Sequence, residues 1–314
     1  MREVVFHDNV LDLIDSEVAS HEPERGGILL GPIGIPVVSE FIPDPEAAAT
    51  SVTYSPSRQV GARVELATRG NIEVKGIVHS HPGVMDHPSS GDRDSFANWM
   101  GRMPWIPFLI TPIVTVGANL RGTGQHKINL THGEISVFIA EKRTNSQIAL
   151  MEAVPRVLPL TRAIADIGDA LGAVSSRTPI TYVPVEGHPH ASTTLSDRNG
   201  GAITVLIPYT FPLQAPLILV PSARHHRLQP STDATAVPLI WDISGPEDGR
   251  LAQALRQYTA HSPLSVASMA PTVEPREASA AGTTSMAVRD GLRARLDKSL
   301  APSVQDATVL VVGL

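Results

Sequence analysis

Residues 72–81, IEVKGIVHSH, limit the fold of this chain more than any other stretch. The run is apolar and rich in β-branched side chains, as a buried strand would be, and Pro82 and Gly83 bring it to a stop. Side chains alternate across a strand, so His79 and His81 at its end face the same side. Two imidazoles on one face can share a single metal. The chain can then loop back and bring in Asp92, at the start of the next helix, as a third ligand. Two histidines, one carboxylate and a water make a four-coordinate catalytic zinc site with one open position.

Composition narrows what else the chain can do. There are no cysteines among the 314 residues, so disulfides, thiolate metal sites and cysteine nucleophiles are excluded. Any transition-metal site must use histidine, carboxylate and water. The formal net charge is −6, from 25 basic and 31 acidic residues, with no polybasic run. That argues against nucleic acid as a main partner. The opening MREVVFHDNVLDLIDSE carries acids inside its apolar stretch and is no signal peptide. No apolar run has the length of a membrane span. A soluble, cytoplasmic protein is the expectation.

The pattern predicts a mixed α/β (α+β) domain over residues 1–145. Val10, Leu11, Ile14 and Val18 share one helical face, with Asp8 or Asn9 as the N-cap. GGILLGPI and IPVVSEFIP read as two short strands, and SRQVGARVELATRG as a helix closed by Gly70. SGDRDSFANWMGRM has helical spacing, with Phe96, Trp99 and Met103 inward, and PFLITPIVTV and EISVFIAEK read as strands. A second α+β domain is expected over 146–261. It opens with a helix along SQIALMEAVPRVLPLTRAIADIGDAL and continues with strands such as AITVLIPY and PLILVPS. Residues 262–285, rich in Ala, Ser, Thr and Pro, read as a disordered linker. Residues 286–314 read as a short amphipathic helix and an apolar strand ending at Gly313.

Hydrolysis at a metal needs a base, and Glu22 and Glu24 both stand just before a strand. Ser89 can donate a hydrogen bond to an oxyanion. His79, His81, Ser89 and Asp92 match, spacing for spacing, the JAMM signature of the MPN+ metalloproteases: His-x-His-Pro, seven residues to Ser, two more to Asp. ERGGILLG resembles that family's glutamate-led strand, which selects Glu24 over Glu22, and GGILLG is most similar to the prokaryotic branch. The resemblance implies zinc on His79, His81 and Asp92, Glu24 as general acid/base and Ser89 as oxyanion stabiliser. It further implies cleavage at the carboxyl end of ubiquitin or a ubiquitin-like protein. Two alternatives stay open: a noncatalytic MPN scaffold that binds such proteins, and a peptidase that processes a sulfur carrier.

Other polar groups take plainer readings. His87 and Asp86 are solvated loop residues, and Asp94 favours the dipole of the following helix. GHPHAS at 187–192 and RHHRL at 224–228 are surface loops, and Trp99 and Trp105 are core residues. Residues 209–216, between two strands, resemble the Tyr-Pro-x-x-Pro turn of the ubiquitin-conjugating fold, although no cysteine is present to carry a thioester. Residues 290–314 resemble the entry to an adenylating, ubiquitin-activating-type domain, which would continue beyond Leu314.

Overall fold

The computed structural model describes residues 2–21, 24–50, 53–68, 71–117, 124–144, 147–175, 180–185, 187–196, 201–221, 234–237, 239–244 and 246–261. The expected linker, the segment 286–314, Gly70 and the RHHRL histidines lie outside these residues.

The first sheet is mixed and has eleven strands. They are β1 (Arg2–His7), β2 (Gly26–Pro32), β3 (Val37–Val38), β4 (Glu40–Pro43), β7 (Ile72–His81), β8 (Phe108–Ile110), β9 (Ile113–Val116), β10 (Lys127–Asn129), β11 (Gly133–Ser136), β12 (Phe138–Lys142) and β13 (Ile148–Leu158). Strands β5 (Ala48–Thr50) and β6 (Thr53–Ser55) form a separate hairpin. β7 is central, antiparallel to β2 and parallel to β8 and β9.

Helices cover both faces of this sheet, so its central strands are apolar on both sides, as the run at 72–81 requires. α1 (Asp8–Ile14) continues through a π-helical turn, Asp15–Ala19. It buries Val10, Leu11, Ile14 and Val18 against Leu29, Val78, Ile110 and Val114. On the opposite face α2 (Arg58–Ala67) packs Val60 against Ile28, Leu30 and Ile77. There too α3 (Ser90–Arg102) packs Phe96 and Met100 against Leu109 and Ala140. Ile77, His79 and His81 share the α2/α3 face, because alternation along β7 carries Val78 to the other side.

Four local expectations change. The N-cap of α1 is His7, and the Asp8 carboxylate instead accepts the backbone N–H groups of Thr161 and Arg162 at 3.0 and 3.2 Å. Those two donors open α4 (Leu160–Leu171), whose own N-cap, Pro159, has no side-chain acceptor. Asp8 therefore caps a helix far away in sequence. Met100, rather than Met103, is the fully buried partner of Phe96, while Trp99 and Met103 pack at the margin of that cluster. Trp105 is 70% exposed, because α3 ends at Arg102 and the chain turns to bury Ile106 instead.

The largest difference concerns residues 148–158, expected to be helical and to open a second domain. They form β13, which pairs antiparallel with β12 and then parallel with β1. The expected break after 145 thus falls between neighbouring strands of one sheet. Pro155 explains the local preference, since a proline inside a helix loses a hydrogen bond and clashes with the preceding turn. It sits beyond the β12 pairing and opposite Val4, so its missing N–H disturbs one side of the strand alone. The helix begins only after Pro159 and ends at Gly172, which adopts the left-handed conformation at φ +62°.

The second sheet contains β14 (Val174–Ser175), β15 (Thr181–Val185), β16 (His188–Ser196), β17 (Ala202–Pro208), β18 (Leu217–Pro221) and β19 (Ala234–Ala236). The expected strands at AITVLIPY and PLILVPS are β17 and β18, paired antiparallel. α4 and α5 (Arg250–His261) contribute Ile167, Leu251 and Leu255 to a core shared with Leu195, Val205, Ile218 and, from the first sheet, Val5 and Val37.

His7 lies near this junction, 1% exposed and beside the rings of Tyr182 and Tyr209. Burial lowers its pKa from 6.5 to about 4, against a smaller opposing pull from Asp8. The folded state therefore binds fewer protons here than the unfolded chain. The associated stability is present above about pH 6.5 and is lost as the pH falls towards about 4, a change of roughly 2–4 kcal/mol. Urea unfolding of wild type and His7→Asn at about pH 7.5 and about pH 4.5 should show the gap between them narrowing by that amount in acid. A gap that stays constant would contradict it.

Candidate metal centre

The site forms where the end of β7 meets the start of α3. Pro82 stops the strand, and Gly83 turns the chain at φ +65°, a conformation that side chains with a Cβ rarely adopt. A loop then leads to Ser89, the N-cap of α3. The Ser89 hydroxyl accepts the Asp92 backbone N–H at 3.2 Å, and the Asp92 carboxylate accepts the Ser89 backbone N–H at 2.7 Å, a reciprocal capping box. The cap thus fixes the helix start and the carboxylate with one pair of residues.

His79, His81 and Asp92 converge. The two Nε2 atoms are 3.0 Å apart, His79 Nε2 is 3.1 Å from Asp92 Oδ1, and His81 Nε2 is 3.2 Å from Asp92 Oδ2. All three residues are buried. Each histidine faces a different oxygen of the Asp92 carboxylate, and one ligand atom from each residue can be chosen with all three within 4.8 Å of one another. Among the described residues this is the one group of three or more such side chains able to hold a metal ion. The donor set, two imidazole nitrogens and a carboxylate, fits a divalent transition metal with positions left for water.

Each histidine is oriented differently. His81 Nδ1 lies 3.2 Å from the Met85 carbonyl oxygen, which can only accept; Nδ1 therefore carries a proton and Nε2 is the nitrogen left to ligate. The His79 ring is parallel to within 13° of the Tyr54 ring, at 6.0 Å between centroids, and its Nδ1 is buried without a hydrogen-bond partner among the described residues. Tyr54 is in turn held by the buried Asp44, which accepts its hydroxyl at 3.2 Å and the Ser57 N–H and hydroxyl at 2.7 and 2.6 Å. Gly26 makes room for this packing: a Cβ there would fall 2.8 Å from the Tyr54 ring and 3.0 Å from His79 Cβ.

Electrostatics follow from burial and proximity. Burial would raise the Asp92 pKa, but hydrogen bonds from His79 and His81, the charge of His79 and the Ser89 hydroxyl outweigh it and hold the carboxyl well below the usual range. Burial would lower the His81 pKa, yet the hydrogen bond and charge of Asp92, the charge of Glu24 and the Met85 carbonyl together raise it. Metal must displace that proton, so metal affinity weakens as the pH falls.

Glu24 stands two residues before Gly26, which is paired with His79. Its neighbour Arg25 is fastened to the residue between the two histidines. The Ser80 backbone N–H donates to the Arg25 carbonyl at 2.8 Å, and the Ser80 hydroxyl accepts the Arg25 N–H at 3.0 Å. Glu24 Oε2 is buried and has no hydrogen-bond partner among the described residues. Burial raises its pKa, with His79 and His81 opposing and Asp92 adding to the rise. A carboxyl of raised pKa beside two imidazoles is a candidate proton acceptor and donor. Glu22, the other sequence candidate, is outside the described residues.

Ser89 is brought to the site, with its hydroxyl donating to Asp92 Oδ2 at 2.7 Å. Asp94 is exposed and lies beyond the first turn of α3, where Asp92 is the acidic residue. His188 and His190 belong to the β15–β16 hairpin, with no third ligand among the described residues. Two groups escaped the sequence reading. Ser80 carried a signal only as the residue between two candidate ligands. Lys127 had none, and its Nζ is 2.8 Å from Asp86 Oδ2 and 2.5 Å from Glu134 Oε1.

Residues 8–121 match the family described as prokaryotic homologs of the JAB domain, a span that holds all five candidate residues. This part of the chain is similar to the JAB/MPN domain family. Among solved structures the chain is similar to a JAB1/MPN domain protein from Archaeoglobus fulgidus. The two are 16% identical over 49% of this chain and 98% of that one, with a TM-score of 0.26. No curated protein matches the chain. No helix among the described residues is long and apolar enough to cross a membrane.

Proposed function

We propose that the chain is a zinc-dependent peptidase that cleaves at the carboxyl end of ubiquitin or a ubiquitin-like protein. The observation that carries this reading is the convergence of His79, His81 and Asp92, with Nε2–Nε2 and Nε2–carboxylate oxygen distances of 3.0–3.2 Å, beside a half-buried glutamate of raised pKa. Zinc held there would polarise the scissile carbonyl and bring the pKa of a bound water to about 7. Glu24 accepts a proton from the attacking water at a carboxylate oxygen and returns it to the leaving nitrogen. Ser89 steadies the oxyanion by turning its hydroxyl away from Asp92, which keeps the Ser89 backbone N–H at 2.7 Å and so stays in place.

The substrate class and the roles of Glu24 and Ser89 rest on the family pattern. On the same basis, residues 180–261 are assigned to holding a ubiquitin-like partner without carrying it covalently, in the cytoplasm. Purified protein should be incubated with ubiquitin-like fusions bearing isopeptide-linked or linear C-terminal extensions, with and without a chelator. Chelator-sensitive release of the extension supports the reading. Metal bound at one site with no release from any fusion would favour a binding scaffold.

A further inference from the structure

We propose that Lys127 is a positioning residue for His81, acting through the loop that joins the two halves of the site. The inference rests on the reading of His79, His81 and Asp92 as a metal centre. The loop residue Met85 supplies the carbonyl that fixes the His81 tautomer, at 3.2 Å from Nδ1. Its backbone has no sheet pairing of its own. Asp86 follows directly, and its carboxylate is tied to Lys127 Nζ at 2.8 Å. Lys127 is itself anchored on Glu134 at 2.5 Å, a residue 2% exposed, so the bridge ends on a rigid support.

That support is β10–β11, and β11 pairs with β9, which pairs with the His79–His81 segment of β7. The frame that carries the histidines therefore also carries the lysine that holds the loop. His87, next to Asp86, adds an apolar tether: its ring lies 5.3 Å from that of Phe138 and 6.3 Å from that of His126. Lys127, Glu134 and Phe138 all lie beyond residue 121, outside the span matched by the family. Part of the ligand orientation is thus supplied from outside the motif region.

The bridge is worth more than an exposed ion pair. The Lys127, Glu134 and Asp86 side chains are 14%, 3% and 30% exposed, so the lysine is held between two carboxylates of which one is buried. Without it the loop is free to move Met85 O away from His81, and the ring can take the tautomer that puts the proton on Nε2. That tautomer cannot ligate through Nε2 until it reverses. Losses of 10–100-fold in metal affinity are typical when the group behind a ligating histidine is removed.

The test compares wild type, Asp86→Ala, Lys127→Met and the double variant, using zinc alone as the probe. Zinc affinity is read by competition with a chromophoric chelator, and the His81 Nδ1–H hydrogen bond to Met85 by ¹⁵N NMR of the zinc-loaded protein. Asp86→Ala keeps the Lys127–Glu134 pair, so it cuts the tether without leaving a buried charge unpaired. Zinc affinity should fall about 10-fold or more in each single variant, with little further loss in the double variant. The His81 Nδ1–H signal should lose its hydrogen-bonded shift. Wild-type affinity and a wild-type Nδ1–H signal in a folded Asp86→Ala protein would overturn the proposal. A wild type that binds no zinc would instead overturn the metal-site reading, so the two failures are distinguishable.

Discussion

Glu24→Gln should bind zinc as wild type does, keep its melting temperature, and hydrolyse its substrate about 10²–10⁴-fold more slowly, the range for losing a general acid/base. Glutamine preserves the size and the carbonyl of the side chain but cannot take a proton from water. Glu24 Oε2 has no partner among the described residues, so the exchange breaks no hydrogen bond seen there. Burial already raises the Glu24 pKa, which makes a neutral amide an easy replacement for the folded state. The loss should fall on kcat more than on KM, because the proton transfer belongs to the transition state. Chelator competition and steady-state kinetics on the same preparation check both halves. A variant that cleaves at the wild-type rate would remove Glu24 from the mechanism.

The second large effect belongs to Asp92. Asp92→Asn should remain folded and lose zinc affinity by at least about 100-fold, beyond the loss expected for an outer partner of a ligand. Asparagine can still accept the Ser89 backbone N–H, so the helix cap survives while the anionic ligand is gone. Asp92→Ala loses the cap as well and should be less stable than Asp92→Asn by about 1 kcal/mol. The Asp92 carboxyl is held well below its ordinary pKa, so its contribution to folding is present above about pH 4. It is lost as the pH falls further towards the folded-state value. Urea unfolding of the two variants separates the cap from the ligand. Equal stability with equal loss of zinc would show that the cap contributes nothing.

The metal ligands were legible because their signal is local. Alternation along one strand aligns His79 with His81, and a capping pattern starts the helix that bears Asp92. α3 and β7 were equally local: one has helical spacing, the other a continuous apolar run with a Pro-Gly stop. Residues 148–158 misled for the opposite reason. Ala, Leu and Met favour a helix, but the pairing with β1 joins residues about 150 positions apart and overrides that preference. Asp8 caps α4 rather than its own helix, and Lys127 reaches Asp86 across 41 residues. No spacing rule exposes such contacts. Trp105 shows a limit of composition: a large apolar side chain reads as core, yet the turn after α3 leaves it 70% exposed and buries Ile106.

Metal content measured by elemental analysis on the purified chain, beside a His79→Ala/His81→Ala double variant, tests the central claim most directly. About one zinc per chain in the wild type and none in the folded variant is the predicted result. A folded wild type that takes up no zinc even when it is supplied, or a double variant that keeps it, would contradict the assignment of His79, His81 and Asp92 as the metal centre.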